Sequence, residues 1–214
     1  GQSMIGDVLH WIPVILNGSS IGWDTKFVLS KAIFSTGIGL LVYRLTNHLI
    51  AGVLIAATSA FLGFAAFRFN HPAIFCITYA PWVIIQWSRL GRALALTHEN
   101  SWFNIKQGIT LAVVSWLQLN SGSPKEGVIT ALFIHAYGFS LFYDLTHRKY
   151  GRAQSALLGS CVGLAVIMIS APYWLLFLDA LGKSFSLSDA PKISVLPAWA
   201  IAGFFDNILF QMKF

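Results

Sequence analysis

Two short polar turns interrupt an otherwise apolar chain, and they carry most of the residues whose side chains could bind or transform a ligand. The first turn is Arg-Phe-Asn-His-Pro at 68–72, and the second is Ser-Gly-Ser-Pro-Lys-Glu at 121–126. Helix N-termini and cationic side chains bind phosphate and other anions, so we expect an anion site where the two turns meet. The candidate substrate-binding residues are Arg68, Asn70, Ser123 and Lys125.

These turns and the N-terminal stretch also contain the candidate catalytic residues, which are Asp7, His71 and Glu126. In group-transfer reactions a carboxylate serves as a general base, and a histidine orients or transfers a proton. Asp7 or Glu126 would therefore take the base role and His71 the proton-transfer role.

Helix capping explains part of the same pattern without any chemistry. Pro72 and Pro124 each suit the first turn of a helix, where the missing N–H costs nothing. Asn70 and Ser123 are favourable N-cap residues, and Glu126 near a helix start is favoured by the helix dipole. The capping interpretation leaves the cationic residues and His71 unexplained.

The composition excludes most soluble folds. The chain has 214 residues, of which 56% are hydrophobic and 10% charged, and its mean hydropathy is +0.68. Soluble domains carry about 25% charged residues. No phosphate-binding glycine loop, His-Glu-x-x-His motif or nucleophile elbow is present in the sequence. The net charge of +6 comes from residues at the ends of hydrophobic runs, which favours membrane orientation over a nucleic-acid partner.

The apolar runs predict an all-α, polytopic transmembrane helical bundle of about six spans, because a helix needs about 20 apolar residues to cross the hydrocarbon core. The spans are expected at 27–49, 51–69, 72–90, 104–120, 125–145 and 153–176. Residues 1–26 are expected to be an outer-face loop with a short interfacial helix, and 27–176 the six-span membrane domain. Residues 177–214 are expected to be an outer-face loop and an apolar helix.

The short loops predict the orientation, because cytoplasmic loops are enriched in Lys and Arg. One set of loop ends carries seven basic residues, which are Arg44, Arg89, Arg92, Lys106, Arg148, Lys149 and Arg152. The opposite short loops carry Arg68 and Lys125. The first set is therefore predicted to be cytoplasmic, with both polar turns facing the periplasm or exterior of a bacterial cytoplasmic membrane.

Several residues within the predicted spans have a structural interpretation. Five aromatic residues near predicted span ends are expected to form an aromatic belt: Trp82, Trp87, Trp102, Tyr173 and Trp174. Cys76 and Cys161 are expected to be buried free thiols, and glycines such as Gly37 and Gly39 are expected to pack helices together. His135 lies within a span, where either a functional role or an interhelical hydrogen bond is expected.

Four stretches resemble the YfhO-like bacterial membrane proteins of the GT-C glycosyltransferase superfamily. They are Gly-Gln-Ser-Met-Ile-Gly-Asp at 1–7, Val-Tyr-Arg-Leu at 42–45, the His-Pro turn at 68–72 followed by Ala-Pro-Trp at 80–82, and Leu-Asn-Ser-Gly-Ser-Pro-Lys-Glu at 119–126. Two positions depart from the family pattern: Ser123 stands where the family usually has a second histidine, and Ser3 where it has proline.

The resemblance implies transfer of a sugar from a polyprenyl-phosphate donor at the outer membrane face, with inversion at the sugar. In that superfamily the catalytic aspartate follows the first span, and this chain begins beyond that point. Asp7 would then be a secondary acidic residue that contacts a metal or the donor. The resemblance leaves a divalent metal ion open as a cofactor, and membrane lipids and further membrane proteins as partners.

Two other functions are compatible with the sequence. A non-catalytic integral membrane subunit of a larger complex is the first alternative. A transporter is the second, and it is less favoured because charges at mid-membrane positions, expected along a substrate path, are scarce.

Overall fold

The computed structural model describes residues 6–61, 75–96, 101–122, 124–172 and 175. Within these ranges every regular element is a helix, so the predicted all-α fold is confirmed for this part of the chain. The elements are a 3₁₀ helix Val8–His10, α1 Trp11–Ile15, α2 Ser20–Thr46, α3 Leu49–Ser59, α4 Ala80–Leu96, α5 Ser101–Asn120, α6 Pro124–Tyr150 and α7 Arg152–Ile169.

Among the described residues, three helices are long and apolar enough to cross a membrane, which supports an integral membrane protein. They are α2, the part of α6 from Gly127 to Tyr150, and α7. The 27 residues of α2 span about 40 Å, which exceeds a hydrocarbon core of about 30 Å. The apolar helix α3 has only 11 residues, so three spans are established by length and composition and six remain a prediction.

Helix α2 begins at Ser20, whereas the sequence predicted a span from 27. The Oγ of Ser19 accepts a hydrogen bond from the Gly22 amide at 3.2 Å and caps the helix. The helix ends at Asn47, which adopts the left-handed conformation with φ of 55°. The Nδ1 of His48 then accepts from the Ala51 amide at 3.2 Å and caps α3. This short connection folds α3 back along α2.

Close approach at glycines holds the α2–α3 pair together. A Cβ on Gly39 would lie 2.6 Å from the Cβ of Ala56 and 2.7 Å from the Gly52 carbonyl oxygen. A Cβ on Gly37 would meet the indole of Trp82 at 2.6 Å. The predicted packing role of Gly37 and Gly39 is therefore confirmed.

The contacts between helices show that their directions alternate along the chain. Trp82 of α4 donates to the carbonyl of Ile33 in α2, and residues of α2 nearer its start lie beside Phe75, so α2 and α4 run the same way. Helix α6 runs parallel to α4, since Trp87 adjoins Gly138 and Leu94 adjoins Lys149 at the far end. Helices α3, α5 and α7 run the other way.

This alternation brings the start of α4 and the turn after α5 to one end of the helices. The amide of Gln118, near the end of α5, donates to the carbonyl of Cys76, just before α4, at 3.2 Å. It also donates to the carbonyl of Gly127 in the first turns of α6 at 3.1 Å. We call this end, defined by Cys76, Gln118 and Gly127, the turn end.

The opposite end is basic. Arg44 near the end of α2 lies at the same end of the bundle as Arg89 and Arg92 in the second half of α4, because the two helices run in the same direction. The Lys149 ammonium donates to the carbonyl of Leu94 at 2.7 Å, and the Tyr150 hydroxyl donates to the same oxygen at 3.0 Å. Basic residues that the sequence assigned to one side of the membrane thus meet at one end, which we call the basic end.

Helix α4 forms the centre of the described core, because it packs against α2, α5 and α6. The side chain of Trp87 is 1% exposed and packs edge-on against Phe142, with ring centroids 5.6 Å apart. The prediction that Trp87 belongs to an aromatic belt is therefore wrong. Its indole N–H donates a hydrogen bond inside the bundle, so the side chain is buried in the core and not at the membrane interface. The main core cluster comprises Val83, Trp87, Leu90, Leu111, Ile134, Phe142 and Val166.

Candidate functional site

The N-terminal segment, residues 6–18, is folded against the start of α2 at the turn end. The Oδ1 of Asp7 accepts from the Leu9 amide at 3.1 Å and caps the 3₁₀ helix. Pro13 of α1 is buried against α2, where a Cβ on Gly22 would lie 2.9 Å from the Pro13 Cα. Gly18, with φ of 71°, reverses the chain into α2, and this conformation is one that glycine adopts without strain.

A buried ion pair lies beneath this segment. The ammonium of Lys26 lies 3.3 Å from Oδ2 of Asp7, and the two side chains are 0% and 1% exposed. A buried charge costs several kcal/mol unless it is paired and hydrogen-bonded. Asp7 meets that condition, because the Tyr79 hydroxyl donates to its Oδ1 at 3.0 Å in addition to the Leu9 amide. The carboxylate thus joins the N-terminal segment, α2 and the residues just before α4.

Aromatic and imidazole groups surround the Lys26 ammonium. It lies 4.2 Å from the centre of the Phe75 ring, which is a cation–π geometry. It also lies 3.3 Å from Nδ1 of His10. An ammonium can only donate, so Nδ1 accepts and the His10 proton sits on Nε2. Burial, and next the charge of Lys26, lower the pKa of His10 below its usual value.

The second polar turn begins beside this ion pair. A Cβ on Gly6 would lie 2.6 Å from the Cγ and Oδ1 of Asn120, the last residue of α5. The Ser121 hydroxyl donates to the carbonyl of Gln118 at 2.8 Å, and Ser121 is 0% exposed. The N-terminal segment therefore reaches both the start of α4 and the end of α5.

The structure describes only some of the site residues that were predicted from the sequence. Asp7 lies at the turn end, fully buried. Lys125 and Glu126 belong to the first turn of α6, which begins at Pro124 as predicted, and their side chains lie outside the described part. Arg68, Asn70, His71 and Ser123 lie outside the described residues altogether, and so does the region 177–214.

Lys26, Tyr79 and His10 are the members of this cluster that sequence reasoning missed. Lys26 falls at the end of the predicted outer-face loop 1–26, although it is followed directly by Phe27 and Val28 in an apolar run. A lysine inside a membrane helix is costly and usually paired, and this signal could have identified it. Its partner could not be identified, because Asp7 lies 19 residues away in the sequence, in a different element.

The geometry of Asp7 determines what it can do chemically. Its Oδ1 accepts two hydrogen bonds, and its Oδ2 faces Lys26. In this arrangement the carboxylate holds a charge and three chain segments together. To take a proton from a substrate hydroxyl, it would have to leave Lys26 and become accessible. The catalytic role expected from the sequence stays a prediction.

The other titratable and thiol residues lie elsewhere. The Trp87 indole donates to Nδ1 of His135 at 3.0 Å, which confirms the expected interhelical hydrogen bond. Cys76 is a buried free thiol as predicted, whereas Cys161 is free but exposed, because it lies on the outward face of α7. In the part of the chain that the structure describes, no three His, Cys, Asp or Glu side chains are grouped as metal ligands would be.

No protein-family model, curated protein or solved structure matches this chain.

Proposed function

We propose that this chain is the six-span membrane domain of a GT-C-like glycosyltransferase. It would move a sugar from a polyprenyl-phosphate donor at the outer face of a bacterial cytoplasmic membrane. The turn end would be the outer face and the basic end the cytoplasmic face.

One observation carries the proposal. The residues that lead into and out of the two polar turns lie together: the Gln118 amide bridges the carbonyls of Cys76 and Gly127. Cys76 lies four residues after Pro72, and Gly127 follows Glu126 directly. The residue after the first turn and the residues on both sides of the second are thus joined at one end of the helices, which supports a shared anion site.

The basic end supports the orientation. Arg44, Arg89 and Arg92 lie at this end, and Lys149 is anchored there by the Leu94 carbonyl. Basic residues accumulate on the cytoplasmic side of membrane proteins. The opposite, turn end would then face the periplasm, where a lipid-linked sugar donor presents its phosphate.

In the proposed reaction, Glu126 takes the proton from the acceptor hydroxyl as that oxygen attacks the anomeric carbon. The bond from the anomeric carbon to the phosphate oxygen breaks, and the lipid phosphate leaves with the electron pair. Arg68 and Lys125 stabilise the developing phosphate charge, with Asn70 and Ser123 as hydrogen-bonding groups. His71 orients the acceptor or relays the proton.

A non-catalytic membrane subunit is the second candidate, and the ion pair of Asp7 favours it. A carboxylate that is 1% exposed and paired with Lys26 is suited to holding a fold together. If the polar turns served only to cap helices, their residues could be changed without loss of any transfer activity.

The test is sugar transfer by the full-length protein, reconstituted in lipid nanodiscs with polyprenyl-phosphate sugars as donors. We expect His71→Ala and Glu126→Gln each to lower kcat about 100-fold or more, as is typical for loss of a proton-transfer group. Asp144→Asn is the matched control, because Asp144 is an exposed carboxylate near the basic end, and it should leave transfer unchanged. Wild-type rates in both turn variants would contradict the site assignment, whereas no transfer by the wild-type protein would contradict the enzyme proposal and favour the subunit.

A further inference from the structure

Three separate pieces of the chain meet at one carboxylate at the turn end, and a fourth lies against the neighbouring residue. Asp7 belongs to the N-terminal segment, Lys26 to α2, and Tyr79 to the residues just before α4. Gly6, the neighbour of Asp7, is in contact with Asn120 at the end of α5. The hydrogen bond from Tyr79 to Asp7 joins residues 72 positions apart in the sequence.

These contacts lie where the two polar turns are attached to the helices. Phe75, whose ring lies 4.2 Å from the Lys26 ammonium, comes three residues after Pro72 of the first turn. Asn120, which contacts Gly6, immediately precedes the second turn. A series of contacts through Lys26, Asp7 and Gly6 therefore links Phe75, after the first turn, to Asn120, before the second.

We infer that Asp7, Lys26 and Tyr79 form an electrostatic latch that fixes the N-terminal segment and α2 to the residues just before α4, with Lys26 and Tyr79 as positioning residues. Lys26 is 0% and Asp7 1% exposed, so neither charge can exchange its partner for water. Loss of Asp7 or of Lys26 leaves the other charge buried without its ion pair, whereas loss of both removes the two buried charges together. This asymmetry makes the latch testable.

The inference rests on the proposed function only for its effect on activity, and the latch itself has an independent readout. Cys76 is buried and directly follows Phe75, whose ring lies 4.2 Å from the Lys26 ammonium. In a Cys161→Ser background it is the only cysteine of the chain. Its rate of modification by a maleimide then reports how often the latch region opens.

We expect Asp7→Asn and Lys26→Met each to speed maleimide modification of Cys76 about 100-fold. That factor corresponds to about 3 kcal/mol, the lower range for breaking a buried ion pair, at 1.4 kcal/mol per tenfold. The double variant, Asp7→Asn with Lys26→Met, should return most of the protection. Lys31→Met is the matched control: Lys31 lies on the same helix, over the Phe27 ring at 4.6 Å, and its loss should leave Cys76 protected.

Two outcomes would overturn the latch. One is a Cys76 that stays protected in both single variants, and the other is a double variant at least as reactive as the singles. If the single variants fail to fold, the yield of folded double variant decides: a recovered yield supports the latch, and a yield as low as that of the singles overturns it.

The positioning role is tested by the kinetics of sugar transfer. Because the latch holds the segment that directly follows the proposed donor-binding turn, Lys26→Met and Tyr79→Phe should raise KM for the lipid-linked donor as well as lower kcat. A loss of folded protein alone would lower the apparent kcat and leave KM unchanged, and that result would overturn the positioning role. If Cys76 protection behaves as expected but the wild-type protein transfers no sugar, the latch stands and the proposed function fails.

Discussion

The contact between α4 and α6 is set by Gly138, and a single methyl group there should be felt throughout the core. A Cβ at this position would touch Cδ1 of Trp87 and lie 2.6 Å from its Cγ. The indole has little freedom to move, because it is 1% exposed. It also donates to His135 at 3.0 Å and packs against Phe142.

The expected cost of Gly138→Ala follows from these contacts. Overpacking of a tightly packed core typically costs about 1–3 kcal/mol, and a displaced indole would also lose part of a hydrogen bond worth about 1 kcal/mol. The higher helix propensity of alanine returns up to about 1 kcal/mol. We expect a net destabilisation of about 1–3 kcal/mol, or about 2–12 °C in apparent melting temperature for a chain of this size.

The assay is thermal unfolding of the purified protein in detergent, with two alanine variants as matched controls. Gly108 in α5 and Gly163 in α7 are helical glycines at which an added Cβ would meet no atom of a neighbouring helix within 4 Å. Their alanine variants should melt at the wild-type temperature or slightly above it. If Gly138→Ala melts together with these controls, the packing of Trp87 against α6 is not as described, and the central role of α4 fails with it.

Two further predictions concern the turn end. The lowered pKa of His10 means that the unfolded chain binds a proton at this imidazole more readily than the folded chain does. The stability of the fold should therefore be retained above about pH 6.5 and decline as the pH falls below it. His10→Asn should flatten this dependence in melting curves between pH 8 and 5, and an equal slope in both proteins would refute the prediction. Gln118→Leu should lower the free energy of chemical unfolding by about 1–3 kcal/mol, because two buried backbone carbonyls lose their donor. Gln107→Leu, at a half-buried position earlier in α5, should lower it by less than half as much. Similar losses in the two variants would contradict the bridging role of Gln118.

The all-helical fold could be predicted from sequence because apolar runs of membrane length leave the backbone few alternatives. The glycine contacts of α2 with α3 were also predictable in kind, since small residues allow close helix approach. Helix ends were less predictable. The sequence Trp-Asp-Thr-Lys at 23–26 was interpreted as a polar flank, but α2 runs through it, because Asp7 neutralises Lys26 from another element.

The location of the candidate site could be predicted from the sequence better than the contacts between its side chains. The alternation of long helices requires that the residues before α4 and the turn after α5 share one end, and the structure has them there. The ion pair, by contrast, depends on how a short N-terminal segment folds back onto α2, which no periodicity encodes. Trp87 illustrates the same limit: its position near a predicted span end favoured the membrane interface, whereas His135 on a distant segment supplies its hydrogen-bond partner in the core.

The most direct test of the account is the side of the membrane on which the turn end lies. In a Cys76→Ala, Cys161→Ser background, Ser123→Cys would mark the second polar turn, and Ala153→Cys would mark the opposite end, where Ala153 is exposed at the start of α7. A membrane-impermeant thiol reagent applied to intact bacterial cells should label the cysteine at 123 and leave the one at 153 unlabelled until the cells are opened. Labelling of 153 alone would put the polar turns in the cytoplasm and contradict a donor site at the outer face.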